Sequence, residues 1–204
     1  MSFPVDLTAA LTGASVAQLH NWRRTDLLVP EVQDNPVRYS FRDVVALRTF
    51  VYLRSKLPLQ RIRKAMDQLR KWDLTEHPAA YVLVTEGDSV FLVQEERTVD
   101  LVRHPGQETI FSLANVFAPF ENMQGRNVAD FRRPRPNLEV KENRLGGWPT
   151  IQGTRVPYDA VAKLVAGGVE PAEVKRFYPS VEVPGAADAA DFHREVVQIG
   201  GRAA

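Results

Sequence analysis

The chain has 204 residues, 44% of them apolar and 25% charged, with 26 Lys and Arg against 25 Asp and Glu and no cysteine. That balance is ordinary for a globular protein and excludes a disordered, collagen-like or highly charged tail protein, while the missing thiols exclude disulfides, thiolate metal sites and cysteine nucleophiles together. The longest apolar run, Ala79 to Val84, falls far short of the about 20 residues of a membrane helix, and the start Met1-Ser2-Phe3-Pro4-Val5-Asp6 has no secretory signal, so a cytoplasmic protein is expected.

The near-neutral total conceals a segregated charge. Residues 1–75 hold 12 Lys/Arg and 7 Asp/Glu, residues 76–132 hold 4 and 9, and residues 133–204 hold 10 and 9. The basic excess is N-terminal. There the apolar spacing is helical: Leu7, Ala10 and Leu11, then Val16 and Leu19, then Val44 to Leu57, then Ile62, Ala65, Met66 and Leu69. It predicts four helices. Asp6 or Thr8 starts the first, Gly13 breaks it, and Ser15 caps the second, which closes over Asp26 to Pro30. Glu31 to Arg38 reads as a loop or short hairpin, and helices follow at about Arg42 to Arg54 and Pro58 to Lys71.

From Ala79 the period changes to that of strands. Tyr81 to Val84 and Val90 to Val93 form a hairpin around Glu86-Gly87-Asp88-Ser89. A second pair, Val99 to Arg103 and Thr109 to Leu113, flanks His104-Pro105-Gly106-Gln107, a type II turn sequence. The two prolines in Phe131 to Asn137 predict a linker. Beyond a turn-rich stretch from Gly146, three short helices are expected at Tyr158 to Ala166, Pro171 to Phe177 and Pro184 to Val197. The fold class is α+β, divided into a winged helix-turn-helix (1–75), an antiparallel β segment (76–130), a linker (131–138) and a small helical domain (139–204).

On the second helix, Val16, Leu19, His20 and Arg23 are expected on one side, Gln18, Asn21 and Thr25 opposite, and Ala17, Trp22 and Arg24 on the flanks. Gln and Asn on an outer face suit a DNA major groove, because their amides pair with adenine edges. Arg23, Arg24, Arg38 and Tyr39 would then hold phosphates, with Ser15 at the helix start. The same side chains would equally serve to solvate an exposed helix.

The string Trp22-Arg23-Arg24-Thr25-Asp26-Leu27-Leu28-Val29-Pro30, with Arg38-Tyr39-Ser40-Phe41-Arg42-Asp43 and Leu57-Pro58-Leu59-Gln60-Arg61-Ile62, resembles the DNA-binding domain of MerR-type winged-helix regulators over about 65 residues. Asp26 stands where that family usually has glycine; Asp tolerates a left-handed backbone better than most residues. The wing also lacks its usual glycine. The family's long dimerising coiled coil and ligand-sensing domain are not visible after Lys71.

The segment Gly146-Gly147-Trp148-Pro149-Thr150-Ile151-Gln152-Gly153-Thr154-Arg155-Val156-Pro157, followed by Gly167-Gly168-Val169-Glu170-Pro171 and Tyr178-Pro179, resembles a small three-helix domain of unknown function found in many prokaryotic antitoxins. A winged helix followed by this domain is similar to VapB-type antitoxins. The resemblance implies a homodimer that binds operator DNA and neutralises a PIN-domain ribonuclease toxin; a stand-alone MerR-like transcriptional regulator is the alternative. Thr154 and Arg155 read first as structural; the sharper alternative puts Arg155, Arg194 or Arg202 in the toxin's acidic metal site, since guanidinium pairs well with carboxylates.

The four histidines are too dispersed to converge on a metal. Glu95-Glu96, Asp188 and Asp191 read as solvated acids, and Trp22, Trp72 and Trp148 as packing anchors. No phosphate loop or nucleophile motif is present. No enzyme activity, cofactor or metal is expected.

Overall fold

A computed structural model describes residues 2–71, 82–86, 89–94, 97–100 and 116–201. The chain opens with strand β1 (Phe3–Pro4) and helices α1 (Val5–Thr12) and α2 (Val16–Arg24). Strands β2 (Gln33–Asp34) and β3 (Val37–Tyr39) follow, then α3 (Phe41–Lys56) and α4 (Leu59–Lys71). Each break has a local cause. Gly13 ends α1 with φ 78°, its N–H returning to the Ala9 carbonyl at 3.0 Å, as a left-handed cap requires. Asp26, where glycine was expected, holds φ 52°.

The β2–β3 hairpin is the wing, and β1 adds to it, pairing Phe3 with Tyr39 and Pro4 with Arg38. The middle segment contains β4 (Val82–Glu86), β5 (Ser89–Gln94) and β6 (Arg97–Asp100) in one antiparallel sheet of order β4-β5-β6. The first hairpin agrees with the sequence pattern. The third strand does not: Arg97–Asp100 pairs with β5, so Val99 joins the first sheet, while Arg103, Thr109 to Leu113 and their turn lie outside the described residues, as do Trp72 and Glu95-Glu96.

A short hairpin, β7 (Phe120–Glu121) and β8 (Asn127–Val128), precedes the C-terminal part. There β9 (Leu138–Glu139) pairs with β10 (Thr150–Ile151), α5 spans Tyr158–Ala166, a 3-10 helix spans Pro171–Arg176, and α6 runs Val183–Gly201. Helix α1 lies against both α3 and α6. One apolar cluster therefore runs from Phe3, Leu7, Trp22 and Phe50 to Leu138, Tyr158 and Phe192.

The stretch expected as a linker is tied down at both ends. Phe131 is buried and stacks on Phe117 with ring centroids 5.4 Å apart. Arg135 donates to Asp191 and Glu195, each at 2.8 Å, and Asn137 donates through its backbone and amide to Asp188. Asp188 and Asp191, read as solvated acids, are thus the anchors of this segment. The hydrogen bond from Arg135 holds the Asp191 carboxyl below its usual range.

Arg48, in the middle of α3, is fully buried. Its guanidinium donates to the carbonyls of Leu11, Val116, Phe117, Ala118 and Ala129 at 2.7 to 3.2 Å, and lies 5.1 Å from the Phe120 ring centroid and 5.5 Å from that of Phe131. Burial pushes its pKa down to about 10, against the attraction of Asp130, so it stays charged at neutral pH. One side chain joins the end of α1 to both flanks of the β7–β8 hairpin.

Candidate nucleic-acid interface

Helix α2 begins with a reciprocal cap. Ser15 Oγ accepts from the Gln18 backbone N–H at 3.1 Å, and Gln18 Oε1 accepts from the Ser15 N–H at 2.8 Å, the capping-box arrangement that satisfies two orphan donors at a helix start. Both residues assigned to DNA near this end therefore hold the helix itself. Gln18 is half-buried, and its amide is held at the helix start by this cap.

The inner face of α2 is centred on Leu19 and Trp22, 1% and 3% exposed, with the indole edge-on to Phe50 at 6.2 Å. Placing Trp22 at the centre of the buried face, where a flank was expected, rotates the helix. The outward face is accordingly Ala17, His20 and Arg24, all exposed, with half-buried Asn21 beside them. His20, expected beside Val16 and Leu19, is on the solvent side. Arg24 Nη2 donates to Asn21 Oδ1 at 3.1 Å. Arg23 and Asp26 complete an open cleft along this face.

Two contacts fix the exit from α2: Arg63 Nη2 on α4 donates to Thr25 Oγ1 at 2.9 Å, and the Leu27 N–H returns to the Trp22 carbonyl at 3.0 Å. The wing is pinned in turn by the cap of α3. Asp43, fully buried, accepts from the backbone N–H groups of Ser40 (2.7 Å) and Glu31 (3.1 Å). On β3, Arg38 is half-buried and Tyr39 is 1% exposed. Successive strand residues face opposite ways, and Tyr39 is the one turned into the core beside Phe3; its assignment to phosphate contact is corrected on that ground.

Arg63 on the exit, and Asn122 and Arg126 on the Gly13 turn, were not foreseen. Asn122 Nδ2 and Arg126 Nη2 both donate to the Gly13 carbonyl, at 3.0 and 2.9 Å. A side chain on Gly13 would overlap Val128. The β7–β8 hairpin thus sits directly on the turn of the helix-turn-helix.

In the C-terminal part Thr154 is structural: its hydroxyl donates to the Ile151 carbonyl at 2.9 Å and accepts from the Val156 N–H at 3.0 Å. Arg155 is exposed on the β10–α5 loop, Arg194 is exposed on α6 with Asp191 as its i,i+3 partner, and Arg202 lies outside the described residues. Trp148 packs at 5.6 Å from Phe3 and donates to Asp159, and Trp22 is equally an anchor. Among the described residues no group of acidic or histidine side chains could hold a metal ion, and no helix is long and apolar enough to cross a membrane.

These features define a winged helix-turn-helix joined to a small helical domain. Residues 4–69 match the model of the MerR HTH family regulatory proteins, and residues 138–192 match that of a protein of unknown function, DUF433. The chain is 30% identical over 132 residues to two uncharacterized HTH-type transcriptional regulators, Rv1830 of Mycobacterium tuberculosis and Mb1861 of Mycobacterium bovis. The match covers 61% of this chain and 56% of either relative, so the chain spans about half the length of the curated relatives it matches. The crystal structure of Rv2018 from Mycobacterium tuberculosis shares its fold, with a TM-score of 0.54 at 15% identity, covering 92% of this chain and 96% of that one.

Proposed function

We propose that this protein is a DNA-binding transcriptional regulator of the antitoxin kind. It recognises operator DNA through α2 and neutralises a PIN-domain ribonuclease toxin, making no chemical change itself and using no cofactor. The outward face of α2 carries the reading: an amide and a guanidinium, Asn21 and Arg24, stand beside exposed His20 on a helix fixed at both ends and framed by a wing bearing Arg38. Such a helix enters the major groove, with base edges read by Asn21 and phosphates held by Arg23, Arg24 and Arg38.

One module of this size buries only about 600 to 1,000 Å² on DNA. A homodimer with half-sites about 34 to 36 Å apart, or a multiple of that, is the expected binding form. The antitoxin part rests on the pairing of a winged helix with a DUF433 domain, where Arg155 and Arg194 are exposed and available to a toxin's acidic site. The likeness to curated HTH-type regulators favours the alternative, a regulator without a toxin.

Two experiments test this. Selection of duplexes from a random pool by the purified chain, followed by titration, tests DNA recognition; recovery of no enriched sequence refutes it. Co-expression with the adjacent reading frame and pull-down tests the toxin. A PIN-type partner that is retained and loses ribonuclease activity supports the antitoxin, whereas a neighbourhood without one leaves the regulator.

A further inference from the structure

We infer that the β7–β8 hairpin is a second wing, which sets Gln124, Arg126 and Asn127 against the DNA backbone beside the base steps read by α2. The inference rests on the DNA-reading role of α2 and adds to it a contact surface from outside the helix-turn-helix domain.

The first support is attachment. The Gly13 carbonyl, at the turn before α2, receives both Asn122 Nδ2 and Arg126 Nη2. Asn122, 7% exposed, also organises the hairpin turn, since its Oδ1 accepts from the backbone N–H groups of Gln124 (3.0 Å) and Arg126 (3.1 Å). Gly125 closes that turn with φ 72°. The tip therefore cannot swing independently of the turn that aims α2.

The second support is position. Met123 and Gln124 line the same narrow crevice as Gln18 and Trp22, which places the tip on the Gln18 flank of α2. The β1–β3 sheet of the first wing lies at the opposite end of α1, about 12 Å away for a helix of eight residues. A helix about 10 to 12 Å across fills a major groove about 12 Å wide. Whatever is fixed to its flank then faces the sugar-phosphate strand at the groove's lip.

The third support is chemistry. Gln124, Gly125, Arg126 and Asn127 are all exposed. Between residues 119 and 129 the only carboxylate is Glu121, the last residue of β7, paired with Asn127 and with its oxygen 3.6 Å from where a side chain on Gly125 would begin. Two amides and a guanidinium against that single carboxylate leave donors in excess, and donors suit phosphate oxygens, which take half or more of the hydrogen bonds in protein–DNA complexes. Only one guanidinium nitrogen of Arg126 is committed to Gly13, and a guanidinium has five donor hydrogens.

The test uses the full chain and a duplex of about 30 base pairs chosen by the wild-type protein from a random pool, long enough for two half-sites. Three variants are titrated and footprinted with hydroxyl radicals: Gln124→Glu with Asn127→Glu, Gln124→Lys with Asn127→Lys, and Arg24→Ala as a probe of α2 itself. Binding about tenfold weaker for the Glu pair and tighter for the Lys pair, with backbone protection outside the central steps lost only in the Glu pair, is expected from phosphate repulsion and attraction. If Arg24→Ala weakens binding but both tip pairs stay within about twofold of wild type, the second wing is refuted and the DNA-reading role of α2 stands. Equal weakening by the Glu and Lys pairs overturns the electrostatic contact. If the wild-type chain enriches no duplex, the failure lies in the DNA-binding proposal.

Discussion

Replacing Arg48 by methionine removes the donor that five carbonyl groups share while keeping an unbranched apolar side chain in the site. Five lost hydrogen bonds from a charged donor, at a conservative 1 to 1.5 kcal/mol each, cost about 5 to 7 kcal/mol. Part of this is returned, because a guanidinium pushed down to about 10 carries a desolvation cost of about 3 kcal/mol that disappears with the charge. The net loss is about 2 to 4 kcal/mol, a fall in melting temperature of roughly 5 to 15 °C for a chain of this size. Arg48→Lys keeps the charge but offers three donors on one nitrogen, too few for carbonyls contributed by α1, residues 116–118 and residue 129, so it should recover less than half of the loss. Thermal unfolding followed by circular dichroism measures both variants. A shift below about 2 °C for Arg48→Met, or a lysine variant as stable as wild type, would refute the claim that this side chain joins the two ends of the fold.

Gly13→Ala places a side chain both in the left-handed region and against Val128, with an expected cost of about 2 to 4 kcal/mol; adding Val128→Ala should return the clash but not the backbone strain, leaving an intermediate melting temperature. The Asp191 carboxyl, held below its usual range by Arg135, contributes stability that is present above its unfolded value of about 3.9 and is lost as the pH falls through the lower folded value. Because Asp191 is half exposed the contribution is under about 1 kcal/mol, so the melting temperatures of wild type and Asp191→Asn should differ slightly at neutral pH and converge in strong acid; a gap that persists there contradicts the linkage. On a selected duplex, Asn21→Ala should relax preference at one base step, whereas Arg24→Ala should weaken all sequences and lower the salt slope by about one. Gln18→Ala should act mainly on helix stability, and a change of base preference there would restore it to the reading face.

Helix ends were legible because their signals are local. Ser15, Gly13 and Asp26 each act within four residues of their own position, and β-branched runs around a turn announced β4 and β5. The face of α2 was not legible in the same way. Ranking its residues by the Val16–Leu19 pair ignores that Trp22 buries more area than either, and the larger side chain sets the rotation. Gln18 looked like a free amide because the capping box that occupies it depends on a specific rotamer. Tyr39 was misjudged because its inward turn depends on β1, a two-residue strand that no periodicity reveals. The polar contacts that decide the architecture are further still from local rules. Arg48 reaches residue 129, and Asn122 reaches Gly13 across 109 positions. Yet each left a trace. Arg48 lies on the same helical stripe as Val44 and Val51, and a charge on an apolar stripe must find buried partners or stay out of the core. Asn122-Met123-Gln124-Gly125-Arg126-Asn127 is turn-forming and free of acids within the otherwise acidic middle third. That acid-free turn, flanked by Glu121 at the point where the chain folds back onto the helix-turn-helix, is the trace that the proposed second wing leaves in the sequence.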